Sequence, residues 1–350
     1  LNKTIFMRAV LTLTKGKTMK KLLLTTAMAT SLLASAAFAE VKIAGGLEAT
    51  MADKESTTTG LSAGNAIGFE YEMDVTASGT LSNGMTISTH AEFYSDASES
   101  QSNAPNDLGM TIGLTPTVSF IIGRDQWEIM DNGVTPKAYN IIQDAASNST
   151  ASMGNTAFAA NANNMGIAVK AAGGTVGFIY APDTGATPST NGDKATGNTA
   201  GTGSAYELGY VGSLGMEGLT VLAGVSSKKA VTDSTGDTDG TAYGVAYKTG
   251  KFAVGVSVDD VDAPGSTTSD IKATSYGATY AVTDAMTVGL QRMVVDINSA
   301  ASDETTDAFE VAYNLGAATL ALNYQTTENF GGSATAKDAD AYTITLKQSW

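Results

Sequence analysis

The chain contains no cysteine, one histidine, two tryptophans and only six prolines in 350 residues. Without thiols there are no disulfides, no thiolate metal sites and no cysteine nucleophile. The lone histidine, His90, falls on the polar face of a strand pattern with no Ser-His-Asp signature around it, so catalysis is not expected. Basic residues are scarce, with 20 Lys and Arg against 35 Asp and Glu. The Lys and Arg clusters that bind phosphate backbones are missing, which excludes nucleic acid as a partner. Long apolar runs are missing too. After residue 39 no stretch reaches the about 20 apolar residues that a membrane-crossing helix needs. Residence in a membrane would therefore require a closed β-barrel, the other structure that satisfies every backbone hydrogen bond in hydrocarbon.

Glycine is abundant, at 38 residues, and Ala, Thr, Val and Tyr are frequent, a composition suited to strands joined by tight turns. The clearest local pattern is Ile67-Gly68-Phe69-Glu70-Tyr71-Glu72-Met73-Asp74-Val75, in which large apolar side chains hold the odd positions and three carboxylates hold even ones. Successive strand residues point to opposite faces, so this segment divides an apolar medium from a wet one. A soluble β-sandwich and a membrane barrel with an aqueous lumen both satisfy that division.

The N-terminal segment bears on the choice. Met19-Lys20-Lys21 is a short basic start, residues 22–33 are mostly apolar, and Ala37-Phe38-Ala39 has the small-x-small form cut by signal peptidase. The expectation is a signal peptide over 19–39, cleaved between Ala39 and Glu40, with residues 1–18 an extension from a misplaced start and 40–350 a single domain. Six of the 20 basic residues leave with the leader, so 14 remain against 35 acidic ones.

Sixteen candidate strands follow, from 41–51 and 66–78 through to 318–325 and 339–350. Their connections alternate. Short turns such as Ser82-Asn83-Gly84, Thr115-Pro116, Gly173-Gly174 and Thr249-Gly250 follow even strands, while polar and mostly longer stretches such as 52–65, 124–163 and 182–203 follow odd ones. An up-and-down barrel with short turns at one rim and long loops at the other produces this asymmetry, whereas Greek-key connections vary without regard to strand parity. Glu48, Glu70, Glu72, Asp74, Glu92, Lys170, Glu207, Lys248, Glu310 and Lys347 share the face opposite the apolar one. That face cannot pack a dry core and suits a water-filled interior. One strand misfits: the alternation of Met286, Val288 and Leu290 would turn Arg292 toward lipid, so a β-bulge near Gln291 is expected to bring it into the lumen.

Leader, sixteen strands and the closing Tyr342-Thr343-Ile344-Thr345-Leu346-Lys347-Gln348-Ser349-Trp350 together resemble the general porins of Gram-negative outer membranes. Gly79-Thr80-Leu81-Ser82-Asn83-Gly84-Met85-Thr86-Ile87 resembles an early porin hairpin, and Val118-Ser119-Phe120-Ile121-Ile122-Gly123-Arg124-Asp125 the strand leading into the third loop. The Pro-Glu-Phe-Gly-Gly loop sequence of enteric porins is absent, and after residue 39 only Arg124 and Arg292 could contribute arginines to a pore. The resemblance implies an all-β transmembrane barrel whose third loop, 124–163, folds into the lumen. It also implies a homotrimer in outer-membrane lipid, assembled by machinery that reads the terminal aromatic, here Trp350.

On that reading Arg124, Asp125, Glu128, Asp131 and Asp144 stand at the constriction, with Glu48, Glu70, Glu72, Asp74, Glu92, Arg292 and Glu310 along the lumen. Acidic residues lining a low-dielectric passage concentrate cations and repel anions. The expected function is passive diffusion of small hydrophilic solutes and ions with a cation preference; a substrate-specific channel and a surface β-rich adhesin are the alternatives. No cofactor is expected, although the oxygen-rich run Asp233 to Gly240 has calcium-like spacing without matching the EF-hand pattern.

Overall fold

The computed structural model describes residues 37–56, 64–95, 107–124, 134–138, 163–182, 203–230, 236–262, 270–298, 300–332 and 339–350. Their strands are β1 (Ala37–Ser56), β2 (Gly64–Thr80), β3 (Thr86–Ser95), β4 (Asp107–Gly113), β5 (Val118–Arg124), β6 (Asn163–Ala171), β7 (Gly174–Ala181) and β8 (Ala205–Gly212). They continue as β9 (Leu219–Lys228), β10 (Thr238–Thr249), β11 (Phe252–Asp262), β12 (Ile271–Ala281), β13 (Met286–Ile297), β14 (Glu304–Asn314), β15 (Ala318–Glu328) and β16 (Ala339–Ser349). Each pairs antiparallel with its neighbours in sequence, and β16 closes on β1, so the sixteen strands form one closed barrel. Closure leaves no unpaired edge, the condition for a sheet in hydrocarbon.

The sequence pattern locates every strand, and the largest departure is β1, which begins four residues earlier and ends five later than 41–51. The reason is that apolar alternation marks only the lipid-facing band. The ladder continues past it: Asp53 to Ser56 remain paired with β16 in a polar stretch that alternation cannot flag. The hairpin between β6 and β7 also turns one residue earlier than Gly173-Gly174. Its two central residues are Ala172 at φ +49° and Gly173 at φ +72°, the paired left-handed conformation that two-residue hairpins need.

The outer face is apolar. Leu47, Ile67, Phe69, Ile167, Phe178, Leu208, Leu290, Phe309 and Ile344 are all exposed on it. Tyr247, Phe252, Tyr280 and Tyr313 crowd the short-turn end of β10 to β14, with Phe252 directly opposite Tyr280. That is where amphipathic rings meet a bilayer interface. The inner face carries the polar complement, including Glu207, Ser257, Ser275, Gln291, Thr306, Glu310, Gln325 and Thr345.

The bulge expected near Gln291 is not present. The ladders of β13 run without a shift through Gln291, which pairs with Gly277 on one side and Ala308 on the other. Arg292 therefore lies on the outer face beside Leu290, and its assignment to the lumen is corrected. Two features make the regular register tolerable. Asp307 stands opposite Arg292 on β14 and accepts two hydrogen bonds from its guanidinium, at 2.7 and 2.6 Å. Such a bidentate pair removes the net charge from the lipid-facing wall. On the other side of the strand Met293 and Val295 are fully buried against Ala273 and Ala308, flanked by Ile271 and Ile297. A bulge would turn these side chains out of that cluster.

Candidate functional site

Three adjacent strands bring together five of the six expected acidic residues that are described. Glu48 on β1 pairs with Glu70 on β2, and Asp74 on β2 with Glu92 on β3. Like charges directly opposite one another are unfavourable in a dry sheet, and here they share an inner wall. Neighbouring side chains moderate them. Lys347 on β16 lies 3.8 Å from Glu48 and 4.0 Å from Glu72, and His90 Nε2 lies 2.8 Å from Asp74 Oδ1. Thr50 donates to Glu48 at 3.2 Å. Carboxylate oxygens of Glu72, Asp74 and Glu92 lie within 4.8 Å of one another, the set among the described residues best able to share a divalent cation. Five carboxylates are thus gathered on one stretch of wall with Lys347 and His90 among them.

Glu310 is elsewhere. It is buried on the inner face of β14, opposite Gly289 and Asn323, and separated from β1 by β15 and β16. Arg124 closes β5, at a register position opposite Leu108 and Asn163. Asp125, Glu128, Asp131 and Asp144 lie outside the described residues, as do Asp233 to Thr235 of the calcium-like run. Asp237, from the same run, instead takes hydrogen bonds from Lys229 and from the Ala230 amide, the latter at 2.9 Å. Its carboxyl is held below the usual range, first by the Lys229 hydrogen bond and then by the Ala230 amide. Lys229 is raised in return by the same hydrogen bond and by the charge of Asp237.

One part of the connection between β5 and β6 is described, Val134 to Ala138, and it lies against the inner wall. The Val134 amide donates to Ser257 Oγ at 2.8 Å, and the Thr135 hydroxyl donates to the Ser275 carbonyl at 3.4 Å. Val134 packs beside buried Leu222 and Ala242. The expectation of a long third connection that enters the lumen is met by this segment. Sequence reading had not singled out the wall beneath it, where Gly244, Gly255, Gly277 and Gly289 occupy inner-face positions on four successive strands. Glycines on one parity of consecutive strands were the available signal, legible only once the register is known.

The acid wall and this segment stand across the barrel from one another. In a ring of sixteen strands β2 and β10 are eight apart, so β1 to β3 face the region to which residues 134–138 are attached. A barrel of this strand number leaves an aqueous channel. A closed lipid-facing barrel with a charged lumen and an inward connection defines a pore-forming membrane protein.

The comparisons are more specific. The sequence profile of the Gram-negative porins matches residues 24–329, and the chain belongs to that family. Among solved structures it resembles engineered variants of the porin of Rhodopseudomonas blastica. One has a TM-score of 0.62 at 14% identity, covering 89% of this chain and 100% of that one. Another has a TM-score of 0.61 at 15% identity with the same coverage. No curated protein sequence matches the chain. The protein is therefore an outer-membrane porin.

Proposed function

We propose that this porin passes small hydrophilic solutes and ions by passive diffusion, with a preference for cations. The observation that carries the preference is the row of Glu48, Glu70, Glu72, Asp74 and Glu92 on three adjacent strands, with Lys347 beside Glu48 and Glu72 and His90 beside Asp74. A negative wall inside a low-dielectric shell raises the local concentration of cations and lowers that of anions. Export through a signal peptide cleaved between Ala39 and Glu40, recognition of Trp350 by the barrel-assembly machinery, and a homotrimeric state belong to the same reading. They rest on the leader pattern and the family.

The test is a planar-bilayer recording of the purified protein in a KCl gradient. Stepwise conductance with a reversal potential on the cation side is expected. Anion selectivity would overturn the preference, and absence of conductance the channel reading.

A further inference from the structure

The four inner-face glycines beneath Val134 to Ala138 are spaced to receive that segment and nothing bulkier. A Cβ placed on Gly244 would meet Val134 Cγ2 at 2.8 Å and the wall's own Ser257 Oγ at 2.7 Å, and one on Gly255 would meet Pro136 Cδ and the wall's Ala246 Cβ, both at 2.8 Å. On Gly277 it would strike Thr135 Cγ2 and lie 2.5 Å from the Pro136 carbonyl oxygen. On Gly289 it would meet Ala138 Cβ at 3.1 Å. Real Cβ atoms essentially never approach other heavy atoms closer than about 3 Å, so Gly277, whose close contacts are all with the segment, admits no side chain while the segment is seated.

The direction of the segment is set by the same contacts. It passes from β10 at Val134 to β13 at Ala138, with Thr135 and Pro136 over β11 and β12, and strands about 4.8 Å apart make that crossing about 14 Å wide. Extended chain covers about 3.3 Å per residue, so the four steps from Val134 to Ala138 match it. The segment runs across the strands and adds no strand to the sheet. Hydrogen bonds from the Val134 amide to Ser257 and from the Thr135 hydroxyl to the Ser275 carbonyl anchor it. Close approach, which glycine permits here, adds to those bonds.

We infer that Gly244, Gly255, Gly277 and Gly289 are the positioning residues of the channel's aperture. They hold residues 134–138 flat on one wall, so that the passage is bounded by this segment on one side and the acid wall of β1 to β3 on the other. The inference rests on the channel reading above and adds to it which residues set the opening. Its consequence runs against simple sterics. A large side chain added to a lumen wall narrows the passage, but at Gly277 it evicts the segment from its seat and widens the route along β10 to β13.

Two experiments on the full-length protein separate this from the channel reading itself. The first uses the absence of cysteine. In the double variant Ala138→Cys/Gly289→Cys the two Cβ positions lie 3.1 Å apart, a few tenths of an ångström short of the about 3.5–4.5 Å Cβ separation of a disulfide. Oxidation of the assembled barrel should close the bond, seen as loss of free thiol, with unitary conductance unchanged before and after reduction. Thiols that remain free under oxidant would overturn the seat whether or not the protein conducts. The second compares Gly277→Leu with Gly68→Leu, since Gly68 is an inner-face position where a Cβ meets nothing within 4 Å. Gly277→Leu should raise unitary conductance, and Gly68→Leu should leave it equal or lower. Equal or reduced conductance in Gly277→Leu would sink the inference. If Gly277→Leu fails to fold, the thiol result decides alone.

Discussion

Neutralising Glu72, Asp74 and Glu92 together is the sharpest electrostatic perturbation the lumen offers, because their carboxylates lie within 4.8 Å of one another and act on a passing ion almost as one group. A monovalent cation about 7 Å away gains about 0.6 kcal/mol from each charge in water. With a Debye length of about 10 Å at 0.1 M salt, the three together contribute about 0.9 kcal/mol. That is about fourfold enrichment of the cation and an equal depletion of the anion. At 1 M the Debye length falls to about 3 Å and the gain to about 0.2 kcal/mol, below a factor of about 1.5. The Glu72→Gln/Asp74→Asn/Glu92→Gln variant should therefore move the reversal potential in a KCl gradient toward zero. The wild type should lose most of its selectivity between 0.1 and 1 M. Glu48 and Glu70 stay on the wall in this variant, with Lys347 still beside Glu48, so the negative field is reduced. A variant that keeps the wild-type reversal potential at 0.1 M, or a wild type whose selectivity does not depend on salt, would refute the reasoning.

Two further outcomes follow from local packing and titration. Met293→Ala removes a fully buried side chain from the cluster with Ala273, Val295 and Ala308. It should cost about 2–5 kcal/mol, read from the urea dependence of refolding into lipid vesicles; a cost under about 1 kcal/mol would mean the cluster collapses around the gap. At the rim, the Asp237 pKa is depressed, so its link to Lys229 and the Ala230 amide is intact above the ordinary carboxylate value of 3.8 and is lost as pH falls through the lowered one. Amide exchange at Ala230, corrected for its intrinsic pH dependence, should accelerate over that acid range. Asp237→Ala, which leaves no acceptor, should exchange fast already at neutral pH; equal protection in both proteins would show that the amide owes nothing to the carboxylate.

Much of the barrel is legible in the sequence because lipid and water impose period-two alternation on every strand, and because turn residues such as Asn83-Gly84 punctuate it. What escaped has particular causes. The polar end of β1 is held by ladder hydrogen bonds to β16, which leave no mark in hydropathy. Arg292 looked misplaced because one strand was read alone; its partner Asp307 sits on the next strand, and a cross-strand ion pair is invisible until the register is set. The acid wall could be gathered from alternation within β1, β2 and β3 taken separately. Its moderation by Lys347 could not, since β16 comes last in the chain and meets β1 only on closure. The glycine row is the extreme case: its four members are unremarkable in sequence and acquire meaning from a segment more than 100 residues upstream.

Pairing of β1 with β16, from Gly46 opposite Ser349 to Ser56 opposite Ala339, also dictates a timetable. A polypeptide emerging from its N-terminus exposes one side of its first strand from the outset, and that side stays unsatisfied until the last strand has arrived. Shortening the C-terminus by a single strand would strand two edges in hydrocarbon at once, with one at each end of the sheet. Insertion must therefore be nearly all-or-none with respect to the final strand, and whatever escorts the unfinished sheet has to shield the first edge for the whole of its journey.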